Sequence, residues 1–349
     1  MTVTLKDIAN ALNVSVQAVS VALHDIQTTA AVSPQLRERI LSTAREMGYR
    51  PNRLAQGLVR GRSRMLGLVT VDIEVPYGRA AAGAEDEAAA SGYVLLFCNT
   101  RASARKEQLL LQMFAESCVE GIITVNASVL EPTLPILAHK PPGVPLISIN
   151  RKIDHPDAAN LLMKNREASR EDTAHLIRRG HRRILFLGML DGSVPGKNVL
   201  QSSIDRRDGY REAMGAAGLA PTAVSMDPAT YREAMEAGIA YAERFVKAGD
   251  SPTAVVCVND FVALGVLHAC RAQGKRVPED VAVFGFDDQG VARYAFPPLS
   301  SVRQPFYEAG RMAVQRLLRW NDDPGPTTTP LDCEVLFRES SEGSGERDP

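Results

Sequence analysis

Polar residues recur just past short apolar runs in this 349-residue chain: Asp72, Asn99, Asn126, Asn150-Arg151, Asn259-Asp260 and Asp287-Asp288. Carboxylates, amides and a guanidinium converging on one cleft satisfy paired donors and acceptors, which suits hydroxyl-rich or charged small molecules. The chemistry on offer is recognition. No G-x-S-x-G elbow, HExxH, P-loop or GxGxxG occurs, and the six histidines (His24, His139, His155, His175, His181, His268) are dispersed with no carboxylate at metal spacing. The five cysteines (Cys98, Cys118, Cys257, Cys270, Cys333) form no CxxC or Cys/His cluster and read as reduced thiols of a cytoplasmic protein. No enzyme activity, cofactor or metal is implied.

The elements that must position these groups are short buried strands. "MLGLVTVDI", "GYVLLFCNT", "EGIITVN" and "VPLISIN" alternate with helical stretches, and "RRILFLGML", "AVVCVND" and "DVAVFGFDD" repeat the theme later in the chain. That pattern predicts two doubly wound α/β units, whose ligands lie beyond the carboxyl ends of the strands. There is no run of eighteen apolar residues, so no membrane span is expected, and "MTVTLKDIANAL" does not read as a secretory signal.

A different module precedes the strands. Residues 1–64 carry nine Lys/Arg against four Asp/Glu, a net +5, whereas the whole chain is −1, leaving −6 on the remainder. A basic segment attached to an acidic body is the footprint of a polyanion-binding head. Thr4 followed by Asp7 caps a first helix with Leu5, Ile8, Ala9 and Leu12 on one face. Ser15 can cap a second, with Ala18, Val19, Ala22 and Leu23 inward. Ser33-Pro34 opens a third, which Gly48 ends. Two short helices braced by a third form a helix-turn-helix, whose second helix enters the major groove by its N-terminal end. Val16, Gln17, Ser20 and Val21 are then exposed to bases. Gln17 can pair with adenine, a valine can pack on a thymine methyl, and Ser15 or Ser20 can bond phosphate. The stretch "YRPNRLAQGLVRGRSR" that follows contains a helix too short to fold without a partner. Its Leu54 and Leu58 beside Arg53 and Arg60 suit a minor groove.

In order and spacing, "TLKDIANALNVS", "VSPQLRERIL", "MGYRPNRLAQGL", "GRSRMLGLV", "GHRRILFLG", "DRRDGY", "VNDFVALGVL", "VPEDVAVFGFDD", "PPLSSVRQP" and "FRES" resemble the LacI/GalR family of bacterial transcriptional regulators. The resemblance implies a small all-α helix-turn-helix head and hinge helix, followed by an α/β body of two doubly wound parallel-sheet lobes like those of periplasmic binding proteins. It implies a DNA-binding domain over 1–50, a hinge over 51–64 and an effector-binding and dimerisation domain over 65–340. The first lobe is expected at about 65–163 and 294–325, the second at about 164–293 and 326–340, with a disordered tail over 341–349. The implied partners are double-stranded operator DNA, a second copy of the chain and a small polar effector such as a sugar, with no membrane. By position, the implied DNA contacts are Thr4, Leu5, Ser15, Val16, Gln17, Ser20, Val21, His24, Tyr49, Asn52, Arg53, Ala55 and Leu58, with Leu58 the intercalating residue. The implied effector contacts are Asn150, Arg206, Asn259, Asp287 and Gln304; Asp72, past a strand end, joins them.

The sequence departs from the family pattern in places that bear on specificity. Val21 stands where Arg or His is common and His24 where Asn is usual. Lys164-Asn165 replaces an Asp-Asn pair, and Ala168-Ser169 replaces a glycine pair. An unusual effector and an operator read partly through groove shape are expected. Two alternatives stand beside this reading: control by a phosphorylated metabolite or partner protein, and a solute-binding protein with no DNA function.

Overall fold

A computed structural model describes residues 3–24, 32–49, 62–70, 77–101, 103–125, 139–188, 201–226, 231–246, 251–323 and 325–342. The chain forms two compact units, Met1–Ser63 and Arg64–Pro349.

The first unit holds α1 (Leu5–Leu12), α2 (Val16–His24) and α3 (Pro34–Glu46). Thr4 caps α1 reciprocally: its hydroxyl accepts the Asp7 N–H at 3.3 Å, and the Asp7 carboxylate accepts the Thr4 N–H at 2.8 Å. Asn13 ends the helix in the left-handed region at φ 55°. The Ser15 hydroxyl accepts the Ala18 N–H at 3.1 Å to start α2, and Ser33 with Pro34 starts α3. Ile8, Val19 and Ile40 are wholly buried between the three helices, with Ala9, Ala22 and Ala44 around them.

The second unit contains two sheets. The first, in the order β11-β5-β4-β3-β1-β2, is parallel throughout and comprises β1 (Met65–Thr70), β2 (Val94–Asn99), β3 (Gly121–Val125), β4 (Leu146–Ile149), β5 (Ala158–Met163) and β11 (Thr328–Leu331). The second is parallel in the order β7-β6-β8-β9, from β6 (Ile184–Gly188), β7 (Thr222–Ser225), β8 (Ala254–Cys257) and β9 (Ala282–Phe284). An antiparallel pair, β10 (Ser301–Arg303) with β12 (Glu334–Leu336), adjoins it. Helices α4 (Tyr77–Ala90), α5 (Ala104–Glu116) and α10 (Phe306–Arg319) belong with the first sheet. Helices α6 (Asn165–Arg178), α7 (Gln201–Ala216), α8 (Tyr231–Val246) and α9 (Asp260–Ala272) belong with the second. Strand order reverses between β1 and β3 in one sheet and between β6 and β8 in the other. Crevices open at such points, beyond the carboxyl ends of the strands. No helix among the described residues is long and apolar enough to cross a membrane.

The chain passes between lobes at Lys164, at Gln304-Pro305 and at Asp332-Cys333, so two expected lobe boundaries move, as does the expected start of the tail. Residues 294–303 do not belong to the first lobe. Gly285 N–H donates to Ser300 at 2.8 Å and Asp287 N–H to Val302 at 2.8 Å, so this stretch runs alongside β9. Residues 326–331 do not belong to the second lobe, because β11 pairs with β5, Thr328 opposite Asn160. Nor does the tail start at 341. A terminal turn, Glu339–Glu342, docks on the second lobe: Ser341 Oγ lies 2.7 Å from Ser300 Oγ, and Glu342 bonds His175 and Arg179. Residues 343–349 lie outside the described residues.

In the first lobe, α4 and α10 approach closely through glycine. A Cβ at Gly83 would lie 2.0 Å from the Tyr307 carbonyl oxygen, and one at Gly310 would lie 2.0 Å from that of Ala80. Gly310→Ala should therefore force the helices apart and cost ~1–3 kcal/mol in urea unfolding. Gly215→Ala, in α7 with nothing within 4 Å of its added Cβ, should be neutral or stabilising by up to ~1 kcal/mol. Equal midpoints for the two variants would contradict this packing.

Candidate functional site

The candidate DNA face lies on the first unit. Val16 is 44% exposed and Gln17 is also exposed on the first turn of α2, while Ser20 and Val21 follow half-buried on the next turn. Gln17, Ser20 and Val21 share one face by their spacing of three and four. Ser15 and Thr4 are exposed, with their side-chain oxygens engaged as caps, and Leu5 is half-buried. Tyr49 packs half-buried on the core of the head, where burial raises its phenol. His24 is the last residue of α2, and its side chain lies outside the described residues. Asn52, Arg53, Ala55 and Leu58 lie outside them as well.

The second candidate site is a buried relay that runs between the lobes of the second unit. Asn150 follows β4 at φ 63° and is 6% exposed; its Oδ1 accepts from Asn165 Nδ2 at 2.9 Å. Asn165, the first residue of α6, in turn accepts from Arg206 Nε at 3.0 Å. Arg206 projects from α7, donates through Nη1 to the Val258 carbonyl at 2.6 Å and through Nη2 to Asp287 at 3.3 Å, and lies 3.7 Å over the Phe286 ring. The same Asp287 oxygen accepts from Gln304 Nε2 at 2.6 Å. Val258 directly follows β8, which places Arg206 at the second sheet's switch point. The two ends of the relay are incomplete: Asn150 Nδ2 and Gln304 Oε1 are buried with no partner among the described residues.

Burial pushes the Asp287 carboxyl up to about 6, against the opposing pull of Arg206 and Gln304. Its neighbour behaves differently. Burial alone would raise Asp288, but hydrogen bonds from Arg338 at 2.5 Å and Arg303 at 2.8 Å hold it below the ordinary carboxylate value. Arg79 of α4 reaches from the first lobe to the Asp288 carbonyl at 3.3 Å. Asp260, wholly buried, accepts from Ser301 Oγ and the Gln289 N–H, each at 2.6 Å, and burial raises it well above the usual range. A cavity of about 590 Å³ opens beside Gln304, bordered by Arg79, Arg303, Asp332 and Glu334.

Four expected effector residues, Asn150, Arg206, Asp287 and Gln304, are thus joined in one hydrogen-bonded chain. Asn259 is half-buried at the same strand ends, but its Oδ1 caps α9 by accepting from Val262 N–H at 2.9 Å, which leaves its amide NH₂ to offer. Asp72 lies outside the described residues. Sequence reasoning missed Asn165, the link between Asn150 and Arg206, although Lys164-Asn165 had stood out as a departure. Lys164 beside it is half-buried and pairs with Asp332 at 2.6 Å.

A pH test follows from Asp287. Its carboxyl is raised from 3.8 to about 6, so the folded state favours the protonated acid. That contribution is complete below pH ~4 and is lost as pH rises through ~6. Against Asp287→Asn, the unaltered protein should lose up to ~3 kcal/mol between pH 4 and 7, read as the difference in unfolding temperature across the range. A flat difference would show a carboxyl that titrates normally.

Residues 4–52 match the lacI family of bacterial regulatory proteins, and residues 173–341 match a periplasmic binding protein-like domain. The HTH-type transcriptional regulator RegA of Clostridium saccharobutylicum is 29% identical over 98% of this chain and all of its own length. The ribose operon repressor of Haemophilus influenzae is 29% identical over 97% of this chain and 98% of its own. Among solved structures, the lac repressor dimer bound to operator and the anti-inducer ONPF superposes with a TM-score of 0.83 at 23% identity, covering 98% of this chain and 99% of that one. The head thus carries a domain of the lacI family of bacterial regulatory proteins, the body carries a periplasmic binding protein-like domain, and the chain shares the fold of the lac repressor.

Proposed function

We propose that this protein is a ligand-responsive transcriptional repressor that grips a pseudo-palindromic operator as a homodimer and is controlled by a small polyhydroxy effector, a sugar or related metabolite, held between its lobes. The observation that carries the reading is the pair of buried, unpartnered groups at the ends of the Asn150–Asn165–Arg206–Asp287–Gln304 relay. A ligand that completes it must accept from Asn150 Nδ2 and donate to Gln304 Oε1. A hydroxyl does both, and several hydroxyls on one small frame reach both ends. The relatives' full-length similarity, one of them a ribose operon repressor, supports the same reading.

The mechanism follows from where the relay sits. Asn165 and Gln304 lie on two of the three crossings, so a ligand bound between Asn150 and Gln304 favours one spacing of the lobes over another. Spacing in a dimer sets whether two heads reach adjacent half-sites, and coupling of ~1–3 kcal/mol between the sites is a normal magnitude. A second copy has apolar surface to cover: Tyr294 is 84% exposed, Phe296 77% and Val291 50% on one short segment of the second lobe, with Leu109 and Met113 more than half exposed on α5. Patches of this kind mark association surfaces.

Fluorescence anisotropy with labelled DNA from upstream of the protein's own gene, run beside a thermal-shift screen of sugars and polyols, tests the reading. Arg206→Ala should abolish the effector's influence while leaving DNA affinity within about twofold; a variant that still answers to effector would remove Arg206 from the site. Gln17→Ala should weaken specific binding by ~1–3 kcal/mol with little change on unrelated DNA. For assembly, Tyr294→Asp with Phe296→Asp should convert the dimer to monomer in sedimentation and lower operator affinity at least tenfold. An unchanged sedimentation coefficient would place the interface elsewhere.

A further inference from the structure

The second sheet has a cavity on the face opposite α7, reaching the starts of β6, β7 and β8. It is lined by Leu185 and Leu187 of β6, Val224 of β7 and Tyr241 and Phe245 of α8, and it measures about 660 Å³. Arg182, Arg183, Ile184, Ala220, Thr222 and Pro252, at or before the starts of β6, β7 and β8, complete the wall together with Arg244. Such a volume falls in the range of small-molecule sites.

The sheet explains why the space exists. Leu185 pairs with Thr222 and Leu187 with Val224, so these four side chains share one face. Phe186 points to the other face, which α7 covers: Tyr210 lies 5.4 Å from Phe186, ring to ring, and its hydroxyl donates to the Ile184 carbonyl at 2.8 Å. On the cavity side the cover is α8, and α8 is committed to α9. A Cβ at Gly238 would lie 2.3 Å from the Val262 carbonyl oxygen, and one at Gly265 would lie 2.2 Å from that of Met235. The backbones of α8 and α9 thus pack closely through these glycines. The space is an open groove, and an occupant would take the half-buried Val224, Tyr241 and Phe245 side chains out of water.

The rim selects the occupant. Three arginines border a mainly apolar space, and no carboxylate is among the described residues that line it. Arg182 donates to the main-chain carbonyls of Ile177 and His181, and Arg244 is exposed near the Tyr241 ring. A cationic rim over an apolar interior complements one negative head on an apolar body. We propose that this cavity is a second small-molecule site, separate from the cleft at Arg206, which takes an amphipathic monocarboxylate with its chain against Val224, Tyr241 and Phe245 and its carboxylate at Arg182 and Arg244.

Calorimetric titration of the full-length protein with decanoate, below its micelle concentration, tests the site. One decanoate per chain should bind saturably, and decyltrimethylammonium, with the same chain and the opposite charge, should not. Val224→Phe should fill the cavity and abolish binding. Arg244→Glu, on an exposed residue, should weaken it roughly fivefold or more, with Arg244→Lys restoring most of the loss. Arg206→Ala should leave it unchanged, which keeps this site distinguishable from the effector cleft. No saturable binding, equal binding of the cation, or indifference to Arg244→Glu would overturn the proposal. So would loss of binding in Arg206→Ala, and if Val224→Phe fails to fold, the Arg244 pair decides alone.

Discussion

A guanidinium buried to 6% exposure is the constraint around which the body is arranged. An unpaired buried charge costs far more than a domain can spare, so every donor of Arg206 must be answered. The answers come from three places: the Asn165 amide on a crossing, the carbonyl after β8 and the carboxylate after β9. Asp287 supplies the opposite charge, yet burial pushes it toward its neutral form. Pairs of this kind are weak sources of net stability, and their use lies in fixing one arrangement against others.

That arrangement is tied to the crossings between lobes. Asn165 sits on the first, Gln304 on the second, and on the third Asp332 holds Lys164 of the first at 2.6 Å. Arg303, one residue before the second crossing, bridges Asp288 and Glu334 at 2.8 and 2.7 Å. Arg338 then fastens the C-terminal segment to the same Asp288. The bonds of Arg303 and Arg338 stay within the second lobe, so a change of lobe spacing acts through Arg79 on the Asp288 carbonyl and through Gln304 on Asp287. Binding energy at the ends of the relay and the geometry of the crossings are two descriptions of one equilibrium, which is the physical requirement for a ligand to act at a distance.

Seven strands were legible because their burial is written as largely apolar runs, whereas β5 and β7 were not singled out. "GIITV" and "LISI" are buried at every residue. The head was legible because Thr4, Ser15 and Ser33 announce each helix before the apolar stripe begins, and all three cap as their position suggests. The boundaries of the lobes were not. β11 carries Pro330 in "TTPL" and is only partly buried, so nothing in its pattern says which sheet it joins; that is settled by the register with β5. β10 is three residues long, too short for periodicity to speak. Asn165 was hidden for another reason. A helix-start asparagine reads as a cap, yet here no side-chain cap bond forms at the start of α6, and the amide bridges Asn150 and Arg206 instead.

The short side chains of α2 make sense on the same physical terms. A β-branched residue such as Val16, 44% exposed on the first turn, gains nothing from solvent and slightly disfavours the helix that carries it. Its Cβ methyls do present a compact apolar surface close to the backbone, with Gln17 beside it able to donate and accept at one base edge. A long basic side chain reaches a guanine from a distance and tolerates an offset helix. A valine makes contact only if the helix axis itself comes close to the base pairs. In the proposed function, a head with such side chains would read its site by how deeply the helix sits in the groove, a depth set by the width of the groove and by the phosphate contacts that seat the helix.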